Sequence, residues 1–149
     1  MIKPIPDLDV CQHRESGEFA LLHSAAYMKN DVYLGNATHG SIQRLTAEEF
    51  RRDGLDVVRQ SLAAFENRRF EGTSEFESLG AKGKKRFFKD HRCLGISLQS
   101  NGDLWLDPVK HEERGIPGTS DFANRQIVST SAGGDEFYAA VLRALPFAD

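Results

Sequence analysis

The feature that most restricts this chain is a short stretch in which apolar residues alternate on both sides of a tight turn. Leu94, Ile96 and Leu98 alternate with Cys93, Gly95, Ser97 and Gln99; Ser100-Asn101-Gly102-Asp103 follows, and Leu104-Trp105-Leu106 returns. A period of two puts one row of side chains on a buried face and the other outside. Both residues of an Asn-Gly pair tolerate the positive φ angles of a type I′ turn. The stretch therefore predicts an antiparallel hairpin with Asn101-Gly102 at its tip, ended by Asp107-Pro108.

A sheet face of that kind needs a cover, and two helical patterns can supply it. Thr46-Ala47-Glu48-Glu49 is a capping box, in which the Thr oxygen takes the Glu49 amide and the Glu49 carboxylate reaches back. Leu45 and Phe50 stand where a hydrophobic staple would. Phe50, Val57, Val58, Ser61, Leu62 and Phe65 recur at helical spacing, which predicts an amphipathic helix from Thr46 to about Asn67, interrupted only by Gly54. Phe137, Val141, Leu142 and Leu145 give a second stripe, stopped by Pro146 and capped by Ser131 or Asp135. Glu18 to Leu34 reads as two short strands, or a strand and a connector, around Lys29-Asn30-Asp31. A Gly, Pro and charge-rich loop runs from Lys110 to Ala123, and Arg125 to Thr130 offers one more strand.

The order strands, helix, hairpin, strand, helix predicts an α+β fold: a single domain over residues 1–149, with an antiparallel sheet and helices packed on one face. Its core is expected from Leu94, Ile96, Leu98, Leu104, Leu106, Val141, Leu142 and the helix face Phe50, Val58, Leu62 and Phe65. A length of 149 residues suits one core, and neither a repeat nor a linker divides it.

Composition bounds the setting. The N-terminus lacks the basic-then-apolar pattern of an export signal, and no run approaches the roughly 18 apolar residues of a membrane span. Cys11 and Cys93 lie far apart in different patterns, so a disulfide framework is not expected; a reduced cytoplasmic setting is. The net charge of −3 is unevenly sorted, with eight acids against four Lys/Arg from Cys93 to Asp149 and five against eight from Glu66 to Arg92. An acidic C-terminal third argues against general nucleic-acid or anionic-membrane binding and suits a basic protein partner.

Catalytic and metal signatures are missing. There is no GxGxxG, P-loop, GxSxG, HExxH or CxxC pattern. His111-Glu112-Glu113 with Asp107, His91 and Cys93 has metal-ligand residue types without a spacing that fixes geometry. Cys93 could pair with His91 or His111 as nucleophile and base, but it falls on the periodic strand, where a small buried side chain is expected. Neither a catalytic residue nor a cofactor or metal site is expected. The basic run from Lys82 to Arg92, interleaved with Phe87-Phe88, could hold phosphates and stack bases. Core Phe residues beside a solvated charged face is the preferred reading.

One family resemblance crosses these elements. Lys84-Lys85-Arg86-Phe87-Phe88-Lys89-Asp90-His91-Arg92-Cys93, an alternating strand and Gly turn, and Leu106-Asp107-Pro108-Val109-Lys110-His111-Glu112 resemble bacterial contact-dependent growth inhibition immunity proteins. The resemblance continues through Gln126-Ile127-Val128, Ser131, Ala139-Ala140 and Arg143-Ala144-Leu145, and upstream through Leu34-Gly35 to Leu45. Arg114-Gly115-Ile116-Pro117 and Pro146-Phe147 stand where that family often carries a Trp in the loop and a Cys near the last helix. The resemblance implies a cytoplasmic, non-enzymatic protein that binds the toxic C-terminal domain of a cognate effector, frequently a basic nuclease, and occludes its active site. It involves neither membrane nor direct nucleic-acid binding. The competing expectation is a nucleic-acid-binding or regulatory module using Lys82 to Arg92.

For partner binding the hairpin is the expected platform, since loops and turns on a rigid frame commonly carry recognition. Asp103, Trp105 and Asp107 alternate and share a face if the register holds, and His111, Glu112 and Glu113 extend the acidic neighbourhood into the next loop.

Overall fold

The computed structural model describes residues 2–29, 32–63, 75–111, 117–120 and 125–145, with side chains described for 8–23, 42–63, 75–108 and 125–145. The strands are β1 (Ile2–His13), β2 (Phe19–Lys29), β3 (Val32–Leu45), β4 (His91–Leu98), β5 (Leu104–His111), β6 (Pro117–Ser120) and β7 (Gln126–Val128). The helices are α1 (Ala47–Ala63), α2 (Gly80–Asp90), preceded by a 3-10 turn at Glu77–Leu79, and α3 (Gly134–Ala144). All pairings are antiparallel, in the order β3-β2-β1-β4-β5-β6, and β7 joins the outer side of β5. The chain is thus α+β, as its pattern predicts.

The capping box forms as drawn: the Glu49 amide donates to Thr46 Oγ1 and the Thr46 amide to Glu49 Oε1, each at 3.1 Å. Here Glu49 is held below the usual carboxylate range, chiefly by that amide. The helix buries Phe50, Gly54, Val58 and Leu62. Gly54 is a packing requirement, because a Cβ there would meet the Phe50 ring at 3.0 Å. Freed from that clash, the Phe50 ring stacks 4.0 Å from Phe19 of β2 and lies 5.9 Å from Phe137 of α3. Phe65 lies outside the described residues.

The alternation of the strands sorts the buried side chains into two clusters. Leu8, Val10, Phe19, Leu21, Leu94, Ile96, Leu104 and Leu106 face α1 and α3. Their neighbours in sequence, Cys11, Ala20, Leu22 and Cys93, turn the other way and meet Phe76 and Phe88. The two helices expected from sequence share one face; α2, which the sequence reading passed over, covers part of the other.

Several expectations need correction. Ile2–His13 is a strand despite Pro4 and Pro6, and β3 runs well past Leu34. Leu98 and Leu142 were expected in the core but are 42% and 41% exposed. Leu98 is the last residue of β4, and α3 turns Phe137, Ala140, Val141 and Ala144 inward instead. Gly133 is the N-cap of α3 with no side-chain cap, so neither Ser131 nor Asp135 serves. Most directly, Cys11 and Cys93 are disulfide-bonded. Their separation of 82 residues hides that β1 and β4 pair them face to face, with Cα atoms 4.0 Å apart.

At the hairpin tip the Gly102 amide donates to the Gln99 carbonyl and the Gln99 amide to the Asp103 carbonyl, both at 2.9 Å. Ser100-Asn101 therefore occupies the centre of the turn, with Gly102 (φ 90°) as the extra residue behind it, in place of the predicted two-residue type I′ turn. The register still sets Leu98 against Leu104 and Ile96 against Leu106. Arg59 of α1 ties the tip down, donating to the Gly102 carbonyl at 2.9 Å and to the Ser129 carbonyl at 3.2 Å.

Candidate functional site: an aromatic and ionic stack on the sheet

Because Leu104 and Leu106 are buried toward α1 and α3, Trp105 and its alternating neighbours Asp103 and Asp107 project from the opposite face. The shared face expected from sequence is present. Trp105 lies opposite Ser97 of β4 and Ile127 of β7, and all three side chains share that face.

A residue that sequence reasoning missed organises this surface. Arg125, just before β7, donates from Nε to Asp107 Oδ1 at 2.7 Å and from Nη2 to Oδ2 at 3.3 Å, a two-pronged ion pair. Its guanidinium lies 4.0 Å from the Trp105 ring centroid, in cation–π geometry. The pair is largely sheltered, with side-chain exposures of 23% and 13% for Arg125 and Asp107. No sequence signal links them across 18 residues; the β5–β7 pairing does. It also explains Asp107 and Pro108 inside a strand: neither has a described pairing partner on that side of β5, between the stretches met by β7 and β6.

The carboxylates are accordingly not a free acidic patch. Asp107 is neutralised by Arg125, while Asp103 accepts the Thr130 amide at 3.2 Å and Asn101 Nδ2 at 3.0 Å. His111 ends β5 opposite Pro117; Glu112 and Glu113 lie outside the described residues. What the surface offers outward is apolar: Ile127, beside Trp105, is 62% exposed. Ile127 also borders a groove of about 280 Å³ against α3, lined by Ala132, Glu136, Ala139 and Arg143. That groove lies on the α3 side of the sheet; on the Trp105 face, a half-buried Trp fixed by a stacked Arg beside an exposed Ile can seat a partner's apolar side chain without reorganising.

Two other constellations stand apart. On α2, Lys82, Lys85, Arg86 and Lys89 line one shallow depression with Asp90. At the β1–β4 end, the rings of His13 and His91 meet edge-on at 5.0 Å, and Phe87 stacks on His91 at 4.0 Å. Burial holds His91 below the ordinary imidazole range, against its 2.7 Å hydrogen bond to the Phe87 carbonyl. Among the described residues there is no group of three His, Cys, Asp or Glu side chains arranged for a metal, and no helix long and apolar enough to cross a membrane.

Searches against protein-family models and curated proteins return no match. Among solved structures, a protein of unknown function from Neisseria meningitidis (NMB0488) is similar, with 18% identity over 94% of this chain and 93% of that one and a TM-score of 0.57. That likeness concerns the fold.

Proposed function

We propose that this chain is an immunity protein that binds the toxic C-terminal domain of a cognate contact-dependent growth inhibition effector and blocks its active site. The observation that supports it best is the Trp105–Arg125–Asp107 stack beside exposed Ile127. It is a rigid aromatic anchor with satisfied polar groups, the form that binding hot spots take. Of the stack, Asp107 lies within the segment Leu106 to Glu112 that carries the family resemblance, while Trp105 and Arg125 immediately precede that segment and Gln126 to Val128. With Asp107 paired internally, recognition rests on Trp105 and Ile127 more than on free carboxylates; longer-range attraction to a basic toxin comes from the acidic C-terminal third. Co-expression with the toxin domain encoded beside this chain's reading frame tests the proposal. A stable complex that co-purifies, and suppression of the toxin's activity, are expected; a toxin that stays unbound and fully active contradicts it.

A second reading, a nucleic-acid-binding or regulatory module, is favoured by the four cations on α2. Retention of the protein on a labelled single strand, lost as salt rises, would support it.

A further inference from the structure

Two histidines meet where β1 ends and β4 begins, and the tautomer of each is fixed by what it touches. His13 and His91 are cross-strand partners, their rings edge-on at 5.0 Å. His13 Nδ1 accepts the Glu15 and Ser16 amides, each at 3.2 Å, so that nitrogen carries no proton. Those two bonds shape the turn between β1 and β2, and the turn in turn grips the end of α2. The Arg14 amide donates to the Asp90 carbonyl at 2.9 Å, and Arg14 Nε donates to the Lys89 carbonyl at 3.2 Å. His91, the residue that closes α2, donates from Nδ1 to the Phe87 carbonyl at 2.7 Å and stacks on the Phe87 ring at 4.0 Å. Of α2 itself only Phe88 is buried, in the cluster with Cys11, Cys93 and Phe76, so the helix leans on these end contacts.

We propose that His13 and His91 form an acid-sensitive latch, which fastens the 14–18 turn and α2 to the sheet while both rings are neutral and releases them when the rings are protonated. A proton on His13 Nδ1 turns an acceptor into a donor facing two N–H groups, and both bonds of the turn are lost. A proton on His91 goes to Nε2, in a ring set between Phe87 and His13, where burial is the largest force against the charge. Charging both places two cations 5.0 Å apart, and the cation–π contact that Phe87 offers His91 does not remove that repulsion. The other charged groups nearby are Arg14, Glu15 and Glu18 of the turn, Lys89 and Asp90 of α2, and Arg44 of β3. On β5, His111 stands two residues past Val109, the partner of Cys93. Asp90 favours a charged His91 and Arg44 opposes it, both more weakly than burial. Both rings grip only as neutral imidazoles, so the latch is shut above about pH 6.5, the ordinary imidazole value, and opens as pH falls below it. Opening lifts α2 from the Cys11–Cys93 disulfide and is independent of what the Trp105 face binds.

Hydrogen exchange of the full chain at about pH 7.5 and about pH 5, expressed as protection factors so that the intrinsic pH dependence of exchange cancels, tests the proposal. Protection of amides in 14–18 and 84–90 should fall roughly tenfold or more at the lower pH, while the 93–97 amides of β4 keep theirs. His13→Asn keeps a side-chain oxygen for the Glu15 and Ser16 amides and takes up no proton, so alone it should preserve the 14–18 turn in acid. Combined with His91→Gln it should hold α2 equally protected at both pH values. Equal protection of the wild type at both pH values, a loss that extends equally to β4, or a loss that persists in the folded variants would overturn it.

Discussion

Arg125 lies 4.0 Å over the ring of Trp105 while gripping Asp107 with two nitrogens, so one cation fixes both the aromatic side chain and the carboxylate beneath it. The three side chains form one unit, and their free energies should not add. Arg125→Ala and Asp107→Ala should each lower stability by about 1–3 kcal/mol, the larger loss arising where a sheltered charge is left unpaired. In urea unfolding the double mutant should recover about 1 kcal/mol or more of the summed losses. Strict additivity would mean that the ion pair is not formed in solution.

The disulfide closes a loop across 82 residues between two central strands. Chain-entropy reasoning assigns such a closure about 4–5 kcal/mol. Cys11→Ala with Cys93→Ala should unfold at clearly lower temperature, yet still bind the toxin, because both side chains, although on the same sheet face as the stack, are buried against Phe76 and Phe88, with Cys93 opposite Val109 where Trp105 is opposite Ser97. Alkylation of the denatured, unreduced wild type should label neither cysteine; labelling of both would remove the bond from the account.

The two faces of α3 separate sharply. Phe137 is fully buried, so Phe137→Ala should cost about 3–5 kcal/mol. Leu142 is 41% exposed, and Leu142→Ala should cost less than about 1 kcal/mol. Denaturation midpoints would reveal the opposite ranking if the helix were rotated.

These corrections indicate what a sequence can carry. Local chemistry was legible: Thr46 and Glu49 cap each other within four residues, and the alternation of Leu94 to Leu106 marked the hairpin, although its turn is centred on Ser100-Asn101 and its register is one residue from that of a two-residue Asn101-Gly102 turn. Non-local relationships were not. Cys11 meets Cys93 only because β1 lies beside β4, and β1 was obscured by Pro4 and Pro6, which a strand tolerates where its outer side is unpaired. The second helix was missed because of its 11 residues only Phe88 is buried, leaving no stripe to count. In the candidate site Trp105 and Asp107 could be named from their alternation, but Arg125, which decides whether Asp107 carries a free charge, comes from beyond the following loop.

Burial of His91 favours its neutral imidazole, so the folded chain binds its proton less readily than the unfolded chain. That contribution to stability is present above about pH 6.5, the unfolded value, and is lost as pH falls toward the lower folded value. Melting temperature should therefore drop on acidification through this window, and His91→Gln should flatten that part of the profile. An unchanged slope in the variant would assign the acid sensitivity to other groups.

The central claim is that the face bearing Trp105 and Ile127 silences a toxin. Its most direct test is titration of the purified toxin domain, with its own activity as readout, against wild-type chain and Trp105→Ala with Ile127→Asp. The account predicts near-stoichiometric inhibition by the wild type. In the folded double variant, inhibition should weaken by roughly a hundredfold or more, since each anchor of this kind is worth about 1–4 kcal/mol. Equal inhibition by both proteins would move the interface off this face, and no inhibition by either would contradict the function itself.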